Sequence, residues 1–319
     1  MTILNPSLLK KQILRVSHAT SITPIHTGFS TDYKFMVRFE LEPPLILRVG
    51  QSDSLQSRQQ EANILLSLDQ KGVICPSPVG SGYLASLDMT YQLNSYLEGE
   101  DAEIILPTLS DKEQYKIGYK AGEQLAHMHT LKAPHHIVAW ENRAITKHET
   151  YLMHYKNLSK KVPNDEKLMD FITSNQHLLK GRPNYFQHDD FHLKNILIKD
   201  QQFAGTIDFN GYDWGDPYHD FVKISLFSRQ TSIPFSIGQI HGYFQNHIPE
   251  LFWTLYSVYT AMTVFSSVVW SIRVAPEQLD EMLGRLETVI QDHSSFKSVI
   301  PSWFCDAEPL FKINAEPSK

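Results

Sequence analysis

The sequence predicts an α+β protein with two domains, a small antiparallel β-sheet carrying one helix and a larger, mainly helical domain after it. Strand-like segments are concentrated in the first hundred of the 319 residues, and helical periodicity prevails beyond them. Between the two lies the polar stretch 97–101, which has no periodicity and reads as a linker. We therefore predict a domain of residues 1–97 and a second of residues 98–319.

Composition excludes several classes of protein. Apolar residues make up 42% and charged residues 20%, which is typical of a folded globular chain. The formal charge is −6 and no basic block is present, so we expect no nucleic-acid partner. The two cysteines, Cys75 and Cys305, show no metal-binding spacing, and the N-terminus lacks the apolar run of a signal peptide, so we expect a cytoplasmic protein.

The N-terminal elements follow the order strand, turn, strand, strand, helix, strand. Apolar and β-branched runs predict the strands, and the small residues of 26–31 predict the turn. Helical spacing of Ala62, Leu65, Leu66 and Leu68 predicts that these residues face inward. The predicted strands are 23–25, 35–39, 45–49 and 91–96, and the predicted helix is 57–69.

The second domain is predicted to be helical. Ser110 and Glu113 form a capping box at the start of a helix, and further helices are predicted at 147–160, 165–178, 219–230, 251–273 and 277–293. The segment 251–271 carries no charge and is long enough to cross a bilayer. Because it contains nine hydroxyl side chains and has no flanking basic cluster, we expect a buried helix and no membrane contact.

One β-hairpin interrupts the helical pattern. Residues 195–198 and 203–208 are short apolar runs on either side of the polar turn 199–202. If 196–198 pair with 205–207, Asn195 and Asp208 stand opposite each other with Cβ atoms roughly 5 Å apart. Their oxygens suit Mg²⁺, and Asp190, five residues before Asn195, could accept a proton from a hydroxyl group.

These residues carry a resemblance to a known family. The pattern His188-x-Asp190-x-x-x-x-Asn195, Ile207-Asp208, Gly215-Asp216-Pro217-x-x-Asp220 resembles the aminoglycoside phosphotransferase family, which has a protein-kinase-like fold. The resemblance implies that Asp190 is the catalytic base and that Asn195 and Asp208 hold Mg²⁺. It also implies that Asp220 ties down the catalytic loop and that His188 supports its backbone.

The resemblance extends to a nucleotide site in the first domain. Arg48, in the run 45–49, is similar to the basic residue of the third kinase strand, which contacts ATP or GTP phosphates, and Glu61 is similar to its helical partner. Gly28, Ser30 and Tyr96 are implied as further nucleotide contacts. Arg stands where many kinases have Lys, Asp189 replaces the usual glycine, and neither a glycine-rich loop nor an A-P-E segment is present, which disfavours protein substrates.

The resemblance implies a kinase that transfers the γ-phosphate of ATP or GTP to a hydroxyl of a small molecule. An aminoglycoside, and hence antibiotic resistance, is one expectation, because nine acidic residues against five basic ones in 246–319 would attract a polyamine. A solvated helix face explains the same count. The alternatives are a metabolic kinase for choline, a sugar or an amino alcohol, a catalytically silent nucleotide-binding protein, and a zinc hydrolase using His188 and His192.

Overall fold

Five strands near the N-terminus form one antiparallel sheet in the computed structural model, which describes residues 4–26, 32–50 and 55–312. The strands are β1 (Ser21–Ile25), β2 (Tyr33–Arg38), β3 (Leu45–Gly50), β4 (Pro78–Leu84) and β5 (Met89–Ser95), in the order β1-β2-β3-β5-β4. Leu47 lies opposite Phe35 on one side and Leu93 on the other, and all three are buried. The edge strand β4 was not predicted, because Pro78, Gly80 and Gly82 are typical of turns rather than strands.

Two helices accompany this sheet, α1 (Pro6–Gln12) and α2 (Leu55–Asp69). Leu9 of α1 joins the apolar core of the sheet. In α2 the prediction was right for Leu65 and Leu68 but wrong for Leu66, which is 48% exposed. The buried face of α2 also carries Arg58 and Glu61, because these polar groups have charged partners in the same unit.

Helices dominate the rest of the chain, as predicted. They are α3 (Ala102–Ile105), α4 (Asp111–Met128), α5 (Trp140–Lys156), α6 (Asp165–Asn175), α7 (Arg229–Thr231), α8 (Ile233–Phe244), α9 (Glu250–Val274), α10 (Leu279–Asp292), α11 (Ser302–Ala307) and α12 (Pro309–Lys312). The capping box at the start of α4 is confirmed, since Ser110 N donates to Glu113 Oε2 at 2.8 Å. The predicted helix 219–230 is wrong as a single element: the structure has a 3₁₀ segment, Pro217–Phe221, a π-helical turn, Ile224–Ser228, and α7.

Helices α4 and α8 pack with almost no space between their backbones. A Cβ atom on Gly118 would lie 2.1 Å from Phe235 O, and one on Gly122 would lie 2.1 Å from Gln239 O. In the other direction, a Cβ atom on Gly242 would lie 1.9 Å from Tyr119 O. Only glycine therefore fits at these positions, which repeat every fourth residue and so lie on one face of each helix.

The long apolar helix α9 is, within the described ranges, the one helix that could cross a bilayer by length and composition. It is instead largely buried in the protein, with 67% of its most apolar window covered. Val264, Phe265 and Val268 lie in a core with residues of α6 and α10. The prediction of a buried core helix is confirmed.

Five short strands complete the secondary structure: β6 (Glu100–Asp101), β7 (Tyr185–Gln187), β8 (Ile196–Lys199), β9 (Gln202–Thr206) and β10 (Asp213–Gly215). Strands β7 and β10 pair, and β6, β8 and β9 form a sheet in that order. The hairpin between β8 and β9 has a turn of two residues, Asp200 and Gln201, both with positive φ (51° and 59°), and not the four residues predicted. A two-residue turn sets Lys199 opposite Gln202, so the register on which Asn195 was predicted to face Asp208 is wrong by two residues.

The chain divides into two compact units. The N-terminal unit contains Met1–Gly99 and Ala204–Asn210, and the C-terminal unit contains Glu100–Phe203 and Gly211–Lys319. Residues 204–210, which include Asp208, thus return to the N-terminal unit, which the sequence pattern did not predict.

Candidate active site

Asp190 lies on the loop between β7 and β8 in the C-terminal unit, with its side chain 44% exposed. Lys223 Nζ donates to Asp190 Oδ1 at 2.9 Å, and Asn195 Nδ2 donates to Asp190 Oδ2 at 3.0 Å. His192 Nε2 lies 3.2 Å from the same Oδ2. Because Lys194 N donates to His192 Nδ1, the proton of this imidazole is on Nε2 and faces the carboxylate.

These contacts keep Asp190 ionised. Burial alone would raise the pKa of the carboxyl group, but the hydrogen bond from His192 and the charge of Lys223 outweigh it and hold the pKa well below its usual value. The same interaction raises the pKa of Lys223 against the opposing effect of burial. Asp190 is therefore a charged, accessible hydrogen-bond acceptor.

Asn195 also fixes the shape of this loop. Its Nδ2 donates to the backbone oxygen of Asp190 at 2.9 Å as well as to the carboxylate. The amide nitrogen is thus used within the loop, and the amide oxygen is the atom of Asn195 that a hard cation would bind.

Asp220 holds the backbone of the loop that carries Asp190, as the resemblance implied. Its Oδ2 accepts from His188 N at 2.8 Å, and its Oδ1 accepts from Asp189 N at 2.8 Å. His129 Nε2 lies 3.0 Å from Oδ2, and His129 Nδ1 lies 2.9 Å from the Tyr243 hydroxyl. Since His129 follows α4 and Tyr243 belongs to α8, the tightly packed helix pair sets the position of the loop.

Asp189 occupies the left-handed region of backbone conformation, with φ 60°. This conformation favours glycine, which is the residue that the family pattern has here. The Asp189 side chain lies 3.4 Å from His219 Nδ1, measured from Oδ1. Burial would raise the pKa of Asp189, but His219, Lys147 and Lys223 lower it to about 2.

Asp216 is fully buried and has a structural role. Arg182 donates to both of its oxygens, from Nε at 2.6 Å and from a terminal nitrogen at 2.8 Å, and the Tyr259 hydroxyl donates at 2.7 Å. Trp140 Nε1 in turn donates to the Tyr259 hydroxyl at 3.0 Å. These bonds link Asp216, the residue that follows β10, to α5 and α9.

The N-terminal unit contains a buried cluster of charges around Arg48 of β3. Arg48 donates to the two carboxylate oxygens of Glu61 at 2.8 and 3.0 Å, and its Nε donates to Asp32 Oδ2 at 3.2 Å. Arg58 of α2 also donates to Asp32, at 3.2 Å. The sequence prediction that Arg48 and Glu61 pair is confirmed, whereas Asp32 and Arg58 were not predicted.

Asp208 belongs to the same electrostatic cluster. Burial alone would lower the pKa of Arg48, but the charges of Glu61 and Asp32 outweigh burial and raise this pKa. The charge of the Asp208 carboxylate also raises it. Asp208 follows β9 by two residues and has φ 67°, so its backbone is also in the left-handed region. The backbone of this segment is held by Thr206 N, which donates to Ile74 O at 3.0 Å.

Of the remaining predicted nucleotide contacts, the structure describes only Tyr96. Tyr96 follows β5, is partly exposed, and donates its backbone N–H to Pro44 O at 3.2 Å. Gly28 and Ser30 lie outside the described residues.

The structure thus brings together Asp190 and Asn195 in the C-terminal unit, and Arg48, Glu61 and Asp208 in the N-terminal unit. Sequence reasoning missed Lys223, the counter-ion of Asp190. No spacing rule marks a lysine 33 residues away as its partner. Lys223 immediately precedes the π-helical turn, a feature that sequence periodicity does not reveal.

Comparison with known proteins agrees with this geometry. A family model described as phosphotransferase enzyme family (APH) matches residues 21–253. No curated protein sequence matches the chain.

Several solved structures are similar to the chain, at low sequence identity. A ternary complex of a thermostable mutant of aminoglycoside phosphotransferase APH(4)-Ia with ADP and hygromycin B has 14% identity and a TM-score of 0.67, over 89% of this chain and 98% of that one. The gentamicin–APH(2″)-IIa complex has 18% identity and a TM-score of 0.66, over 91% and 99% of the two chains. The ADP-bound APH(2″)-Ib has 18% identity and a TM-score of 0.61, over 90% and 99%. The predicted kinase-like α+β fold is confirmed.

Proposed function

Because this chain belongs to the phosphotransferase enzyme family, we propose that it is a small-molecule kinase that transfers the γ-phosphoryl group of ATP or GTP to a hydroxyl group. Asp190 is the base in this proposal. The observation that carries it is the environment of Asp190, an ionised and accessible carboxylate held between Asn195 and Lys223.

The reaction requires one bond to form and one to break. The hydroxyl oxygen of the acceptor attacks the γ-phosphorus, and the bond from that phosphorus to the bridging oxygen of the β-phosphate breaks, which releases the nucleoside diphosphate. The acceptor's proton passes to Asp190. Such catalysis depends on positioning and charge stabilisation, so it needs no nucleophilic side chain.

Asn195 and Asp208 are the proposed ligands of Mg²⁺, which neutralises phosphate charge when bound. The donor chemistry fits, because an amide oxygen and a carboxylate are the hard donors that Mg²⁺ prefers. Arg48 is the proposed phosphate contact, held in place by Glu61. Gly28, Ser30 and Tyr96 remain proposed nucleotide contacts.

We also propose a cytoplasmic location, since the reaction consumes a nucleoside triphosphate and both cysteines are free thiols. An aminoglycoside is the acceptor that the ligands of the structural neighbours suggest.

The test is nucleotide consumption by purified protein with Mg²⁺ and a mixed panel of hydroxylated compounds. Asp190→Asn, which keeps the size of the side chain, should reduce acceptor-dependent consumption by at least a hundredfold. Asp170→Asn is the matched control, because Asp170 is a residue of α6 that no described contact of Asp190 involves. Equal rates for Asp190→Asn and the control would refute the assignment of the base.

A further inference from the structure

The buried charges around Arg48 form a network of two cations and two anions in the N-terminal unit. The side chains of Arg48 and Glu61 are each 8% exposed, that of Asp32 is 2% exposed and that of Arg58 is 1% exposed. A buried network of this kind often adds little net stability compared with apolar residues. Its main consequence is therefore the orientation of the side chains that it holds.

Two carboxylates hold the guanidinium group of Arg48 along two different edges. Glu61 accepts from Nη1 at 2.8 and 3.0 Å, whereas Asp32 Oδ2 lies 3.2 Å from both Nε and Nη2. Because the guanidinium group is a rigid planar fork, contacts along two edges fix its plane and its direction. Nη1 directs both of its bonds to Glu61 and Nε directs its single N–H to Asp32, so Nη2 is the nitrogen that a phosphate oxygen would contact.

Arg58 of α2 holds Asp32 in turn. Its two terminal nitrogens donate to the two oxygens of the Asp32 carboxylate at 3.2 Å each, and its Nε donates to the Thr90 hydroxyl at 2.8 Å. The Thr90 hydroxyl donates to Gly50 O at 3.3 Å, and Gly50 and Thr90 face each other in the pairing of β3 with β5. Hydrogen bonds thus connect the guanidinium group of Arg48 back to the sheet that carries it.

Gly50 leaves the space that the Asp32 carboxylate occupies. A Cβ atom at position 50 would lie 1.8 Å from Asp32 Oδ1 and 3.0 Å from a terminal nitrogen of Arg58. An alanine there would displace the carboxylate, because the end of a side chain moves more readily than the backbone of a strand. Asp32 can therefore be moved by a substitution that changes no charge.

From this network we infer that Asp32 and Arg58 are positioning residues for nucleotide binding: Asp32 orients the guanidinium group of Arg48 for the phosphates, and Arg58 holds Asp32. This inference rests on the proposed function, because it takes Arg48 as the phosphate contact. Glu61 alone holds one edge of the fork, which would leave the other edge without a fixed partner. The second carboxylate therefore accompanies the arginine that stands where many kinases have lysine.

The test compares the binding of AMP-PNP, with Mg²⁺ present, and of adenosine, which has no phosphate, by isothermal titration calorimetry. Asp32→Asn removes the charge that holds Arg48, and Gly50→Ala displaces the carboxylate with its charge intact. Each should weaken AMP-PNP by about tenfold or more, as expected for a charged hydrogen bond, and leave adenosine within about twofold of the wild type. Gly80→Ala is the matched control on the same sheet, because its Cβ meets no atom within 4 Å, and it should change the binding of neither ligand.

Arg48→Lys tests whether the effect of Asp32 passes through Arg48. An ammonium group has one nitrogen and cannot be held along two edges, so in this background Asp32→Asn should change AMP-PNP binding by less than about threefold. Thermal unfolding checks that each variant is folded at the temperature of the titration. Equal weakening of both ligands, a tenfold effect of Asp32→Asn in the Arg48→Lys background, or wild-type AMP-PNP binding by folded Asp32→Asn or Gly50→Ala would overturn the inference.

The same proteins separate this inference from the proposed function. If the variants lose AMP-PNP selectively but the wild type consumes no ATP with any acceptor, the phosphotransfer assignment fails and the positioning role stands. If consumption depends on an acceptor and on Asp190, but Asp32→Asn and Gly50→Ala bind AMP-PNP as the wild type does, the phosphotransfer assignment stands and the positioning role fails.

Discussion

Lys223 and Asp190 form an ion pair with 2.9 Å between Nζ and Oδ1, so the proposed base carries its own counter-ion within the C-terminal unit. His192 and Asn195 occupy the other carboxylate oxygen. A base held in this way is ionised over a wide pH range, and the orientation of its lone pairs is fixed before a substrate binds.

Removal of this counter-ion should change the pH dependence of the reaction. In Lys223→Met the pKa of Asp190 rises, and since ionised Asp190 is the active form, the acid limb of kcat/KM moves to higher pH. Each unit of displacement corresponds to about 1.4 kcal/mol of lost charge stabilisation. Lys180 is an exposed lysine, so the pH profile of Lys180→Met should match that of the wild type. If the acid limb of Lys223→Met coincides with that of the wild type, the ion pair does not lower the pKa of Asp190.

The close packing of α4 on α8 predicts a large loss of stability on adding one methyl group. Gly122→Ala places Cβ 2.1 Å from Gln239 O, and forcing the helices apart should cost about 3 kcal/mol in free energy of unfolding. Gly284→Ala is the control, because its Cβ meets no atom within 4 Å on helix α10. That substitution should stabilise by about 0.5–1 kcal/mol. Equilibrium urea unfolding measures both, and similar values for the two would refute the packing argument.

The left-handed backbone at Asp189 predicts an unusual order of stability. Both Asp189→Gly and Asp189→Ala lose the contact with His219, but glycine relieves the conformational cost of φ 60°, whereas alanine retains it. Asp189→Gly should therefore be more stable than Asp189→Ala by about 1 kcal/mol. Thermal unfolding of the two variants decides the matter, since the reverse order is incompatible with this conformation.

Buried His148 should make the free energy of unfolding decrease as the pH falls below neutrality. Its pKa is lowered to about 4, whereas an unfolded histidine has a pKa of about 6.5, so the unfolded state binds more protons between these values. The stabilisation from neutral His148 is present above pH ~6.5 and is lost as pH falls towards 4.

His148→Phe removes this contribution and keeps the ring volume. Between pH 7 and pH 5, the free energy of unfolding of the variant relative to wild type should rise by about 2 kcal/mol. His293, whose pKa is also lowered to about 4 by burial, still titrates in the variant, so part of the pH dependence should persist. A constant difference between wild type and variant at the two pH values would contradict the lowered pKa of His148.

The sequence was most informative where one local rule decides the outcome. The capping box at Ser110, the apolar strands β2 and β3, and the apolar helix α9 were all predicted, because each depends on neighbours in sequence. The order of Asp190, Asn195 and Asp208 carried the family resemblance for the same reason.

The missed features depend on contacts between segments distant in sequence. Helix α8 was missed because Pro234 and two glycines disfavour a helix locally, although those glycines are what allow it to pack on α4. The repeated spacing of Gly118 with Gly122 and of Gly238 with Gly242 was the available signal. No local signal exists for the pairing of Lys223 with Asp190, which is created by the fold.

The proposed phosphotransfer depends most on the proposal that Asn195 and Asp208 bind one metal ion, and a double-mutant cycle tests this directly. Binding of Mn²⁺ in the presence of AMP-PNP is measured for wild type, Asn195→Ala, Asp208→Ala and the double variant. Each single substitution should weaken the metal at least tenfold, and the double variant should fall short of the summed effects by at least about 1 kcal/mol, as expected for two ligands of one ion. Strictly additive effects, or unchanged metal binding in either folded single variant, would contradict the shared site.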